Sequence, residues 1–194
     1  MRLIAQTALV LVLAVALGLG SAIYMIDRGS RLTTEQQGPW RSWANAGRPE
    51  ADSYTRGHAI RAGWLMMTSR LARYYEARTD SSGSGLRTDC DYVVEGSDPG
   101  GTWWSLAVFD RKGHLQRNAA GRYAFNSSSV MREPSGNFQI TIARDARPGN
   151  WLPTGRTGAF LLQLTVLDPV GTASDRAKAG RKIELPRVRR TTCR

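Results

Sequence analysis

The residues of this sequence with the most chemistry to offer lie in its second half: Trp104, Asn118, Arg122, Tyr123, Asn126, Asn150 and Trp151. An indole face covers the C–H surface of a sugar while amide and guanidinium groups pair with its oxygens, so the set suits a neutral or anionic polyol. The same residues have a structural reading, in which Asn150 turns the chain into Trp151, Arg122 pairs with an acid and the tryptophans fill a core. Reaction chemistry is harder to find, and no catalytic residue is assigned. The Gly-X-Ser-X-Gly nucleophile elbow is absent. The loop 80–85 lacks the Gly-Lys-Ser/Thr ending of a phosphate cradle. Asp89, Asp91, Asp110 and Glu133 fall in or near turns, where solvated acids are usual, whereas glycoside hydrolysis needs two carboxylates facing one cleft. His58, His114, Cys90 and Cys193 have no zinc-ligand spacing. Neither a metal nor a cofactor is expected.

What must position these groups is a series of short strands. Residues 71–79 alternate as a half-exposed strand, and 90–94, 103–109, 122–126, 138–143 and 160–167 follow, separated by turns rich in Gly, Pro, Asn and Asp, with Asp168 and Pro169 stopping the last. The motif Gly149-Asn150-Trp151-Leu152-Pro153 reads as a corner, bracketed by Pro148 and Pro153, that aims Trp151. No βαβ alternation is present. The fold expected is mainly β, an antiparallel β-sandwich of jelly-roll type. One amphipathic helix is expected over 52–68, capped by Asp52 or Ser53, with Ala59, Ile60, Gly63, Trp64 and Met67 on its apolar face and His58 in a packing role. Pro39, Trp40 and Trp43 read as core, and residues 171–194 as a polar, basic tail wrapping the outside.

Residues 3–26 are apolar apart from Gln6, Thr7 and Ser21, with no ionised side chain before Asp27. A membrane span needs about 20 such residues, and a secretory apolar region only about 7 to 15. An uncleaved signal anchor over 1–27 is therefore favoured over a cleaved peptide, although Gly18, Gly20, Ser21 and Ala22 resemble a processing site. Residues 28–37 then read as a juxtamembrane linker and 38–194 as one folded domain. Arg2 on one side of the span and Arg28 and Arg31 on the other leave its orientation nearly balanced. Cys90 and Cys193 suit a single disulfide in an oxidising compartment. The net charge of +11 is carried almost wholly by scattered arginines, with lysine only at Lys112, Lys178 and Lys182, and no nucleic-acid signature accompanies them. No nucleic-acid partner is expected.

The run Trp103-Trp104-Ser105-Leu106, then Phe109-Asp110 and Gly113, Asn118, Arg122-Tyr123-Ala124-Phe125-Asn126, Gly149 to Pro153, Phe160 and Leu164 to Pro169 resembles the DUF1214 family. Upstream, Gly38-Pro39-Trp40, Tyr54-Thr55-Arg56, Gly63, Ala77-Arg78-Thr79-Asp80 and Cys90 continue the likeness, and Leu185-Pro186 and Cys193 extend it downstream. At Ala107 to Phe109 this chain departs from the family, which commonly has a polar residue and a tyrosine there. The resemblance implies a β-rich, jelly-roll-like domain, in the short, stand-alone, membrane-anchored bacterial form that lacks the DUF1254 domain. With export of the C-terminal bulk resting on the signal-like position of the span and on the cysteines, the location expected is the bacterial inner membrane, single-pass, with the C-terminal domain in the periplasm. The leading expectation is a tethered binding or accessory module of the cell envelope, held to the membrane by its N-terminal helix and facing a glycan, lipid head group or envelope protein. The alternatives are an enzyme acting on a carbohydrate-like envelope compound and a purely structural interaction domain.

Overall fold

The computed structural model describes residues 2–63, 66–69, 71–155, 158–167 and 184–194. These fall into two units, Met1–Thr34 with Trp43–Met66, and Glu35–Ser42 with Met67–Arg194.

The first unit is helical. Helix α1 (Arg2–Arg28) has no buried residue, and at about 1.5 Å per residue it is some 40 Å long, more than the hydrocarbon thickness of a bilayer. By length and composition it can cross a membrane, a description that a signal sequence also meets. Helix α2 (Ser53–Arg61) starts where the Asp52 carboxylate accepts from the Tyr54 and Thr55 amides, occupying donors that a helix N-terminus leaves open. It is shorter than the expected 52–68 because Gly63, at φ +66°, stops it one residue after the Ala62 cap. The apolar face expected there is not the buried one. Ile60 is 81% exposed, while Thr55 and His58 are buried, and Trp64 lies outside the described residues. His58 stacks on Trp43 with ring centroids 4.3 Å apart, and its Nδ1 lies 2.9 Å from the Ile26 carbonyl. A Cβ on Gly57 would meet Ile26 at 3.3 Å, and Arg61 reaches Asp27 at 3.2 Å. Glycine and histidine thus seat α2 against the end of α1.

The second unit is a β-sandwich. One sheet has six strands in the order β1 (Thr34–Gln37), β2 (Trp40–Trp43), β3 (Ala72–Ala77), β9 (Phe160–Leu167), β5 (Trp103–Asp110), β6 (Ala124–Asn126). The other has four, β10 (Arg187–Cys193), β4 (Cys90–Gly96), β7 (Phe138–Ala143), β8 (Trp151–Pro153). Alternate residues of each strand turn inward. Tyr75, Leu106 and Leu164 from the larger sheet share one core with Val94, Ile140, Leu152 and Val188 from the smaller. Trp104 belongs to it, stacked on Phe138 at 4.7 Å, and Tyr92 meets Phe160 edge-on at 5.7 Å.

Besides β2, where the sequence reads Trp40 and Trp43 only as core, and β6, which starts at Ala124, three strands depart from the sequence reading. Trp151–Pro153 is not a corner but an edge strand, running parallel to β7 with Thr141 opposite Trp151 and Leu152 opposite Ile142. The bend comes just before it, at Gly149 with φ +80°, and Thr141 already donates to the Asn150 carbonyl at 2.7 Å. Strand β1 lies within the stretch read as linker, and β10 within the expected tail. In β10 only Val188 is buried, so its sequence carries too little apolar alternation to announce a strand.

Strand β10 is an edge strand with its outer side occupied. Ser81 donates its amide to the Val188 carbonyl at 2.8 Å and its hydroxyl accepts from the Val188 amide at 3.0 Å. Trp40 Nε1 donates to the Pro186 carbonyl at 2.6 Å. Arg190 grips Asp80 Oδ2 through Nε at 3.0 Å and Nη2 at 2.7 Å. Cys193 sits opposite Cys90 and forms a disulfide with it across a separation of 103 residues. Burial opposes ionisation of Asp80, but hydrogen bonds from Ser82, Arg190 and Ser84 and the Arg190 charge outweigh it and hold the carboxyl below its ordinary range.

Two outcomes follow for the folded chain in detergent. Cys193→Ser lowers unfolding stability by about 4 to 5 kcal/mol in the chain-entropy account, as read by chemical denaturation. Because the folded pKa of Asp80 is depressed, its contribution is complete above the unfolded value near 4 and is lost as pH falls through the folded value. Stability measured between about pH 5 and 2 therefore declines less steeply in Asp80→Asn than in the parent chain.

Candidate functional site

The register of the smaller sheet decides which side chains share its outer face. Val94 and Ile140 point inward on β4 and β7, so their neighbours Glu95 and Gln139 point outward. Arg187 pairs with Glu95, and Glu95 with Gln139, so guanidinium, carboxylate and amide stand in one row across β10, β4 and β7. The next row along the strands is Arg189, Val93, Thr141 and Trp151, the last supplied by β8.

The first row ends at a cleft of about 490 Å³. Its walls are the ends of β4 and β7, the turn before β7, the start of β10 and Gln37 of β1. Glu133, Asn137 and Glu184 join Glu95, Gln139 and Arg187 there, with Ser97, Phe138 and Leu185 completing it. The turn that carries Glu133 and Asn137 is held by the Glu133 amide donating to the Asn137 carbonyl at 2.8 Å. Glu95 also pairs with Arg189 at 3.3 Å on the exposed side. The lining offers many hydrogen-bonding groups and little apolar surface, which suits a small polar ligand.

The seven residues singled out from sequence are not gathered in that cleft. Trp104 is in the core, its Nε1 donating to Asp98 Oδ1, and Asp98 is held in turn by Arg132 at 3.1 Å. Asn118 closes a loop by accepting from the Arg122 amide at 3.1 Å and donating to its carbonyl at 2.9 Å. That loop lets Arg122 reach the Trp151 carbonyl at 3.1 Å and lie 5.4 Å over the Phe125 ring. Asn126 caps the turn after β6, accepting from the Ser128 and Ser129 amides at 2.9 Å. Tyr123 stays on the surface, 38% exposed. Asn150 is buried and clamps three backbone groups: it accepts from the Met131 amide at 2.8 Å and donates to the Met131 and Gln139 carbonyls at 2.7 and 2.9 Å. Trp151 is half-buried on the outer face, its Nε1 fixed to the Ala143 carbonyl at 3.0 Å. Arg122, Asn150 and Trp151 therefore converge on β8, and Asn150 joins that strand to the backbone of Gln139.

Glu95, Gln139, Glu184 and Arg187 were missed by sequence reasoning. The alternation of Tyr92-Val93-Val94-Glu95 and Phe138-Gln139-Ile140 does put Glu95 and Gln139 off the core. What brings them together is the pairing of strands 44 residues apart, which no local pattern encodes.

The model of a family described as "Protein of unknown function (DUF1214)" matches residues 71–171. Among solved structures, the VPA0106 protein from Vibrio parahaemolyticus is similar over 74% of this chain and 36% of its own, at 18% identity and a TM-score of 0.58. That is a likeness of fold. An uncharacterized protein from Burkholderia cenocepacia is similar over 90% of this chain and 41% of its own, at 14% identity and a TM-score of 0.47. The chain thus spans less than half the length of each of these two solved chains. None of the curated proteins compared matches it.

Replacing the buried Asn150 with alanine strands two carbonyls and one amide that the side chain now satisfies. Asn150→Ala is expected to cost about 3 kcal/mol in chemical denaturation, whereas exposed Gln139→Ala stays within about 0.5 kcal/mol of the parent.

Proposed function

The chain belongs to the DUF1214 family, and from that premise we propose that it is an exported binding module of the bacterial envelope, tethered by α1 in the inner membrane with its β-sandwich in the periplasm. The cleft at the end of the four-stranded sheet carries the binding half of this reading. Of its lining, Glu95, Gln139 and Arg187 are set on strands and Glu133 and Asn137 on a hydrogen-bonded turn, which fix such groups better than loops do. Two features support the tethered half. Helix α1 has no ionised side chain between Arg2 and Asp27. The Cys90–Cys193 disulfide belongs to an oxidising compartment.

An enzymatic reading has one specific observation in its favour: Glu95, Glu133 and Glu184 all line the cleft, and paired carboxylates are what glycoside hydrolysis uses. Release of a reducing sugar from a cell-wall glycan, abolished by a glutamine at one of these positions, selects that reading over simple binding.

Expressed in a Gram-negative cell, the full chain is expected to stay in the membrane pellet after alkaline carbonate extraction. Its cysteines should resist a maleimide-polymer label until reductant is added. Release into the supernatant, or immediate labelling of both thiols, defeats the tethered, exported reading. For the cleft, a screen of small polar compounds followed by amide NMR is expected to perturb Gly96 and Asn137. A screen in which every perturbation falls elsewhere removes the cleft as the binding site.

A further inference from the structure

The cleft is one end of a longer feature. Trp151 on β8 and Arg187 on β10 are three strand spacings apart and one row apart along the strands, a diagonal of about 16 Å, roughly the length of a trisaccharide. Between them the outer face presents Thr141 and Gln139, about 7 Å apart along β7, and Glu95, about 5 Å from Gln139 across the strands: a hydroxyl, an amide and a carboxylate. We infer that this face and the cleft together form a platform for a neutral oligosaccharide, with Trp151 covering a sugar ring at one end and the cleft holding the other. The inference rests on the cleft being the binding site and adds the ligand class and its length.

Three properties select that ligand. The indole of Trp151 is locked by its own hydrogen bond to Ala143, so its ring offers a fixed apolar surface rather than a mobile one, and that surface suits sugar C–H groups. The row beside it mixes donors and acceptors, as vicinal hydroxyls require. Among the described residues the cleft lining carries three carboxylates, Glu95, Glu133 and Glu184, and one cation, Arg187, with Arg189 of the neighbouring row paired to Glu95. Carboxylates accept from hydroxyl groups but repel uronate and phosphate substituents, so the cleft end, where Glu133 and Glu184 lie, favours uncharged sugars over anionic ones. Asn150 acts as a positioning residue, because one side chain fixes both the start of β8 and the backbone of Gln139.

The test uses the full chain in detergent, titrated calorimetrically with chitotriose, maltotriose, N-acetylglucosamine and trigalacturonate. One neutral trisaccharide is expected to bind saturably, at least ten-fold tighter than the monosaccharide and ten-fold tighter than trigalacturonate. Gln139→Ala and Trp151→Leu should each weaken the trisaccharide ten-fold or more, and Trp151→Phe, which keeps an aromatic face, should retain most of the affinity. A matched melting temperature for Gln139→Ala guards against misfolding. A trisaccharide that binds no better than the monosaccharide, or that ignores both Gln139→Ala and Trp151→Leu, overturns the platform. If small polar compounds still perturb Gly96 and Asn137 while neither trisaccharide binds, the platform fails and the cleft stands. If neither kind of ligand binds, both fall.

Discussion

A strand at the edge of a sheet leaves half of its backbone groups without partners, and β10 is such a strand, drawn from the last residues of the chain. Fastening it is the constraint on which the smaller sheet depends. The Val188 amide and carbonyl go to Ser81, the Pro186 carbonyl to Trp40, the Arg190 guanidinium to Asp80, and Cys193 to Cys90. Four of these partners come from other strands or loops, so the tail is tied to the body at several independent points. Val188 is then buried against Val94, and Arg187, Leu185 and Glu184 become one wall of the cleft. Without that fastening the core loses a side chain and the cleft loses a side.

The division of labour between the faces follows from the same sheet. Period-two alternation sends Tyr92, Val94, Phe138, Ile140 and Ile142 inward, which forces Glu95, Gln139 and Thr141 outward whatever their later use. The arginines obey a related logic. Arg190, Arg147 and Arg132 each reach an acid, and of those acids Asp80 and Asp91 are buried. Much of the basic composition thus neutralises local carboxylates instead of forming a single stripe. Pairs as exposed as Arg87 with Asp89 add little to stability.

Sequence reasoning reached the parts of the fold that local pattern encodes. The strands at β3, β4, β5, β7 and β9 have apolar alternation or continuous apolar runs, and Asp52 as a helix cap is a matter of two adjacent amides. It failed where tertiary context overrides pattern. In β10, Arg187, Arg189 and Arg190 flank one valine, so a strand that exists because β4 and Ser81 accept it looks like a tail. Helix α2 ends at Arg61 although apolar residues continue at helical spacing, because Gly63 takes a positive φ that periodicity does not reveal. The site was legible only in part. Trp151 and Asn150 stood out by residue type, but the partners that share their face are set by register between distant strands.

That distinction also explains why structural and recognition roles need not compete at β8. Asn150 spends its hydrogen-bonding capacity on Met131 and Gln139, and Arg122 reaches the Trp151 carbonyl. Neither side chain has to touch a ligand to matter to one. A three-residue edge strand, paired along only one side, has too few backbone bonds to hold an indole at a fixed angle by itself. Side chains that bind backbone supply the missing constraints, and the rigidity they give to Trp151 and Gln139 is what a recognition surface needs before any ligand arrives.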